Sequence, residues 1–211
     1  LIGFVAVERR VPEPMLPPGL FAGRGFTVAV TVGFCLNVSF FGQLFVLSLF
    51  FQRTLGLDAW DAGLALAPQA CSAVVAAPLG GRAAARFGAF PAMLTGLVLG
   101  AAGFAGTAFI GPGTAPLVVS SVTFAAGFGM AFAMPAATAA AVSAVPDELA
   151  GTAGGVVNAA RQTGSVAGVA ILGGVVAADA SPSGFRVAML MAAGIFIAAA
   201  ALVAAAARDP A

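Results

Sequence analysis

The chain of 211 residues is 61% hydrophobic and only 8% charged. Soluble domains carry about 25% charged residues, so too few polar side chains are present to cover a water-facing surface. The net charge is +1 and no basic run occurs, which offers nothing to the phosphates of nucleic acid. The composition excludes a soluble domain and a nucleic-acid partner, and it predicts an integral membrane protein whose partner is the lipid bilayer.

Long uncharged runs divide the chain into predicted membrane spans. A helix needs about 20 mainly apolar residues to cross a bilayer, and the strands of a membrane barrel alternate apolar with polar residues, which these runs do not. Six complete helical spans are predicted, near residues 26–51, 62–81, 91–110, 115–142, 152–178 and 185–207. The predicted fold class is therefore an all-α membrane protein.

A turn rich in Gly and Pro at 110–116 divides the six spans three and three. We expect each group of three spans to form one repeat of the fold. We expect residues 1–25 to hold the tail of a preceding span and a cytoplasmic loop, residues 26–110 the first repeat, and residues 111–211 the second. Residues 1–7 are apolar but too short to cross a membrane, so we expect them to end a helix.

The distribution of arginine predicts the orientation in the membrane. Alternate loops carry Arg9, Arg10, Arg24, Arg82, Arg86 and Arg208, whereas the opposite loops carry Arg53 and Arg186. Because positive residues concentrate in cytoplasmic loops, we expect the C-terminus in the cytoplasm. Ala and Gly are abundant, and Arg is used in place of Lys, which is absent; this composition suggests a GC-rich bacterial genome. The predicted location is the bacterial inner membrane, as a multi-pass protein.

The residue types that carry catalysis are scarce. The chain has no His, its acidic residues fall in predicted loops or at helix ends, and Cys35 and Cys71 lie in apolar runs. The phosphate-binding pattern GxxxxGK[ST] is absent. We expect no enzyme activity, no catalytic residue, no metal site and no cofactor.

Arg161 lies within a predicted span, where an arginine costs on the order of 3 kcal/mol to insert. Asn158 and Gln162 share its face at helical spacing. The three residues are candidates to line a substrate pathway. The other interpretation is structural, with Arg161 bonding carbonyl groups of a neighbouring helix, and the sequence leaves both open.

Other polar and aromatic residues are weaker candidates for the pathway. Asn37 and Gln43 lie in the first complete span, where a bridge to another helix explains an uncharged polar residue at least as well. Phe41 and Phe45 are candidates for its hydrophobic wall. The segment 80–88 is expected to be a cytoplasmic loop, and it acts either as a topology anchor or as a gate formed by Gly81, Arg82, Arg86 and Gly88.

Four segments together resemble one known family. They are residues 8–14 with Leu20 and Phe21; 52–56 with Ala62, Gly63 and Pro68; 81–88; and 146–151 with Asn158, Arg161, Gln162, Gly164 and Gly168. Their order and spacing resemble the C-terminal part of the fourteen-span drug:proton antiporters of the major facilitator superfamily. The resemblance covers nearly the whole chain.

The resemblance implies the C-terminal half of a secondary transporter, with its six spans arranged as two inverted three-helix repeats. Its partner would be a missing N-terminal helical bundle of the same protein, its substrate a small hydrophobic compound, and its action proton-coupled efflux by alternating access. Ala85 stands where the family has Asp, and no acid is predicted at mid-membrane, so the proton site is expected elsewhere. The alternatives are a non-transporting membrane subunit, a degenerate remnant, or a superfamily transporter of another small molecule.

Overall fold

The computed structural model describes residues 20–21 and 23–208, and in this range the chain forms six long α-helices and no strand. The helices are α1 (Arg24–Arg53), α2 (Ala59–Phe87), α3 (Ala89–Thr107), α4 (Pro116–Ser143), α5 (Ala150–Ala178) and α6 (Pro182–Arg208). Each corresponds to one predicted span, which confirms the all-α fold class. The tail predicted at 1–7 lies outside the described residues.

Five of these helices are long and apolar enough to cross a membrane, and α5 falls outside that group. Its length is not the reason, because 29 residues extend about 44 Å as an α-helix. The polar residues Asn158, Arg161 and Gln162 lower its apolar character instead. α5 thus has the length of a membrane span and a composition unlike that of the other five helices.

The ends of the helices follow local chemical signals. α2 begins after Asp58, whose carboxylate accepts a hydrogen bond of 2.8 Å from the backbone N–H of Asp61. It ends at Gly88, where φ is +93°, a conformation that residues with a Cβ rarely adopt. α4 begins with Pro116, whose missing N–H is not needed in the first helical turn.

Each half of the bundle packs mainly against the other half. α1 packs most extensively on α5, and α4 packs on α2 and α3. The first helix of each predicted repeat therefore lies against the second helix of the other. This exchange is what two related three-helix units would produce, and the boundaries 26–110 and 111–211 stay a prediction.

Small residues bring α3 and α4 together at very short range. A Cβ added at Gly96 would lie 2.7 Å from the backbone nitrogen of Ala133, and one added at Gly129 would overlap the backbone of Gly100. Such close approach is how helices associate in lipid, where hydrophobicity alone does not hold them together. Gly96 and Gly100 are four residues apart, so they lie on the same face of α3, the face that meets α4.

Aromatic contacts and a polar turn fix α6. Phe50 of α1 stacks on Phe185 with 4.1 Å between ring centroids, and Phe104 of α3 meets Phe196 edge-on at 4.7 Å. In the turn before α6, hydrogen bonds from Ser181, and next from Ser183, hold the pKa of the exposed Asp179 carboxyl below its ordinary value. These contacts join α6 to α1 and α3.

Candidate functional site

The three polar residues Asn158, Arg161 and Gln162 of α5 differ in how deeply they are buried. Asn158 and Gln162 are exposed, whereas Arg161 is half-buried at the edge that meets α1. The spacing correctly predicts neighbours on one side of the helix. It does not predict that Arg161 turns toward another helix while its two companions face outward.

The aliphatic stem of Arg161 lies against α1. A Cβ added at Gly33 would lie 3.5 Å from the Arg161 Cγ, which is an ordinary van der Waals distance, so the stem packs beside Gly33. The Nε atom is buried and donates to no partner. Among the described residues, none accepts a hydrogen bond or forms an ion pair with this guanidinium. Its donors are therefore available to a group from outside the described residues.

Ser165 connects this region to Asn37 on α1. Its hydroxyl lies 3.0 Å from the backbone oxygen of Arg161 and 3.4 Å from Oδ1 of Asn37. The amide nitrogen of Asn37 donates to the oxygen of Gly33 at 2.9 Å. The predicted pathway residue Asn37 is thus buried, and its amide forms hydrogen bonds within the bundle. It lies one helical turn after Gly33, the residue beside Arg161. Ser165, four residues after Arg161, was not among the predicted site residues.

Gln43 is also enclosed by the bundle rather than exposed on its surface. Its amide pairs reciprocally with that of Gln69 on α2, with N···O distances of 2.8 and 3.4 Å. Both side chains are buried. In this conformation Gln43 bridges two helices, which is the alternative that the sequence left open, and a part in the pathway remains a prediction.

Glycines on α5 hold this helix close to α1. A Cβ added at Gly164 would lie 2.5 Å from the oxygen of Phe34, and one added at Gly168 would overlap the carbonyl of Val38. Gly42 on α1 is equally close to the oxygen of Gly168, at 2.6 Å for its added Cβ. This contact fixes the height and rotation of Arg161 relative to α1.

Phe41 and Phe45 are partly exposed, by 38% and 40%. Phe41 borders an open apolar groove together with Ser165, Val166, Val169 and Ala170 of α5. Because Ser165 is one helical turn from Arg161, the groove begins directly beside the polar segment. The predicted hydrophobic wall therefore adjoins the polar candidates, and its contact with substrate remains a prediction.

The prediction of a cytoplasmic loop at 80–88 is wrong, because the structure has no loop there. α2 continues through Phe87, so Gly81, Arg82 and Arg86 lie in its last two turns. Gly88 alone separates α2 from α3. The backbone of Gly80 packs closely on Phe132 of α4, which favours a continuous helix in this segment.

Charges elsewhere lie away from the middle of the helices. Within the described residues, Asp58, Asp61, Asp147, Glu148 and Asp179 occupy turns or first helical turns. No cluster of three His, Cys, Asp or Glu side chains in that range is close enough to hold a metal ion. What the site offers chemically is hydrogen-bond donors and one positive charge beside an apolar groove.

Fold and site together define a bundle of helices from a membrane transport protein, with one polar face on α5. The sequence profile of the Major Facilitator Superfamily matches residues 4–169, and the chain belongs to this family. It is a multi-pass membrane protein of a transporter family, as the sequence predicts.

Several curated relatives are drug or antibiotic resistance proteins. The Methylenomycin A resistance protein of Streptomyces coelicolor is 39% identical over 166 residues, which cover 79% of this chain and 35% of that protein. The Tetracenomycin C resistance and export protein of Streptomyces glaucescens is 31% identical, over 81% of this chain and 32% of the relative. The chain thus spans about a third of the length of these relatives.

A solved structure shares the fold. The crystal structure of a peptide transporter POT, an E310Q mutant in complex with alafosfalin, superposes with a TM-score of 0.71. The superposition covers 97% of this chain and 41% of that one, at 20% sequence identity. This likeness supports the transporter fold and carries no information about substrate.

Proposed function

We propose that this chain forms the C-terminal helical bundle of a secondary transporter that exports small hydrophobic drugs or toxic compounds. The observation that carries the proposal is the polar face of α5. Asn158 and Gln162 are exposed beside Arg161, away from the ends of a long helix whose other residues are mostly apolar. Polar side chains facing lipid are costly, so this face is expected to border water or protein.

The partner of that face is proposed to be an N-terminal bundle of the same protein. Two bundles that rock against each other around a central cavity provide alternating access. The relatives named above are about three times as long as the matched region, which supports a whole protein with further spans. Arg82 and Arg86, at the end of α2, are proposed to act at the cytoplasmic gate.

Proton coupling is part of the proposal, and it requires acidic residues that bind the proton. In the described helices no carboxylate lies away from a helix end, so the proton-binding acids are expected in the N-terminal bundle. The names of the relatives, which refer to methylenomycin A, tetracenomycin C and multidrug resistance, support antibiotics or drugs as the substrate class.

The proposed location is the bacterial inner membrane with the C-terminus in the cytoplasm. The support is the unequal distribution of arginine between alternate loops. Arg9 and Arg10 contribute to that distribution and lie outside the described residues.

The test is efflux by the whole protein that contains this sequence. It is expressed in a bacterial strain without its own drug pumps, and resistance to methylenomycin A and cellular retention of the neutral dye N-phenyl-1-naphthylamine are measured. We expect resistance or dye export that collapses when a protonophore removes the proton gradient. Unchanged sensitivity and unchanged retention at normal membrane abundance would contradict the proposal.

The role of the polar face is tested in the same cells with Arg161→Ala. If Arg161 borders a water-filled pathway, water replaces it, and we expect export to fall while membrane abundance is retained. Arg208→Ala is the matched control, since Arg208 is exposed in the last turn of α6. A parallel fall in abundance and export for Arg161→Ala alone would assign Arg161 a structural role instead.

A further inference from the structure

Arg161 dominates the electrostatics of the membrane-embedded part of the chain. Among the described helices, it is the charged side chain that lies more than two turns from both ends of its helix. The acidic residues of the described range lie in turns or at helix ends. The middle of the bundle therefore carries one positive charge without a negative counterpart among the described residues.

Arg161 is held in place, and one buried donor of its guanidinium has no acceptor. Its stem packs at Gly33 of α1, and its Nε is buried without an acceptor. A guanidinium has five N–H donors and accepts no hydrogen bond. Its planar fork matches a carboxylate, sulfonate or phosphate group, each of which accepts two parallel hydrogen bonds. A cationic group at the same place would meet repulsion from the guanidinium charge.

An apolar groove begins one helical turn from this charge, so one amphipathic compound could contact both. The groove between Phe41 and the α5 residues Val166 and Val169 begins at Ser165, one turn from Arg161. The exposed amides of Asn158 and Gln162 lie on the other side of the arginine. A molecule with a compact apolar body and one anionic group complements both parts.

We propose that the Arg161 region selects amphipathic organic anions, with the anionic group on the guanidinium and the apolar body against Phe41 and Val166. This inference rests on the proposed export function and names its substrate class. A site that selects anions differs from a pathway that is only polar, because a polar pathway would not distinguish anions from neutral or cationic compounds of the same shape.

The experiment compares two dyes that share one aromatic skeleton. 1-Anilinonaphthalene-8-sulfonate carries a sulfonate, whereas N-phenyl-1-naphthylamine is the same skeleton without it. Initial rates of transport by the whole protein are measured in everted membrane vesicles over a range of dye concentrations. We expect a lower KM for the anionic dye than for the neutral one.

Variants at Arg161 test whether this residue sets the preference. Arg161→Gln should shift the KM ratio against the anionic dye by about tenfold, the effect of losing one charge-assisted interaction. Arg161→Lys should retain part of the preference, because it keeps the charge without the planar fork. Arg208→Gln removes an arginine from the end of α6 and should leave the ratio at the wild-type value.

The outcomes separate this inference from the proposed function. Wild-type protein that transports the neutral dye and not the anionic one overturns the inference and leaves the export function standing. The inference is also overturned if Arg161→Gln changes both KM values by the same factor. Wild-type protein that transports neither dye and confers no resistance overturns the proposed function itself.

Discussion

Gln43 and Gln69 form a reciprocal amide pair in the interior of the bundle, with the shorter N···O distance at 2.8 Å. The two residues belong to α1 and α2, which otherwise contact each other little. Both side chains are buried. Each amide therefore supplies the hydrogen-bond partner that the other amide would lack in apolar surroundings. The pair is therefore the main polar connection between these neighbouring helices.

Removing one member of this pair should destabilise the protein. Gln43→Leu leaves the amide of Gln69 buried without its partner, at a cost of about 1–3 kcal/mol in the free energy of unfolding. The double variant Gln43→Leu with Gln69→Leu should be more stable than the single variant, because no orphaned amide remains. Thermal unfolding of the whole protein in detergent measures both.

Gln52→Ala is the control for that series. Gln52 lies at the exposed end of α1 and bonds only to Ser48, so its loss should change stability by no more than about 0.5 kcal/mol. A double variant that is less stable than the single one would contradict the account of a mutually satisfied pair.

Close packing of α1 on α5 predicts that alanine substitutions at two glycines of α5 have very different effects on stability. Gly168→Ala should cost about 1–3 kcal/mol, as overpacking does elsewhere, because the new methyl group overlaps the carbonyl of Val38. Gly174→Ala, with nothing within 4 Å of its added Cβ, should be neutral or slightly stabilising. Equal stability of the two variants in detergent unfolding would show that the helices are not in contact at Gly168.

The proposed orientation predicts which turns are reached from outside the cell. Pro112→Cys and Ala180→Cys lie in exposed turns at one end of the bundle, whereas Ala85→Cys and Glu148→Cys are exposed at the other. With Cys35 and Cys71 replaced by Ala, a membrane-impermeant maleimide added to intact cells should label the first two variants only. The reverse pattern would place the C-terminus outside.

Most of the fold could be predicted from the sequence, because a backbone in lipid must satisfy its own hydrogen bonds. Charge-free runs of about 20 residues must be helical, and charges and Gly-Pro turns mark where they end. The exception is α2, which runs through Arg82 and Arg86 to Phe87. There the packing of Gly80 against α4 outweighs a local sequence that resembles a loop.

The arrangement of the polar residues was less accessible, because it depends on helix rotation. Spacing places Asn158, Arg161 and Gln162 on one side of α5 but cannot tell which of them meets α1. That choice follows from Gly164 and Gly168, whose contacts with α1 set the rotation of α5. Likewise, nothing in the sequence pairs Gln43 with Gln69, since the two lie on different helices.

The central claim is that the face of α5 bearing Asn158 and Gln162 borders water rather than lipid. In protein without its native cysteines, Asn158→Cys and Gln162→Cys are compared with Ile197→Cys, whose side chain is 61% exposed on α6. Because the reactive thiolate forms in water, a membrane-impermeant maleimide measures contact with water in native membranes. We predict that both α5 cysteines react faster than Ile197→Cys, and reaction of all three at the same slow rate would contradict the account.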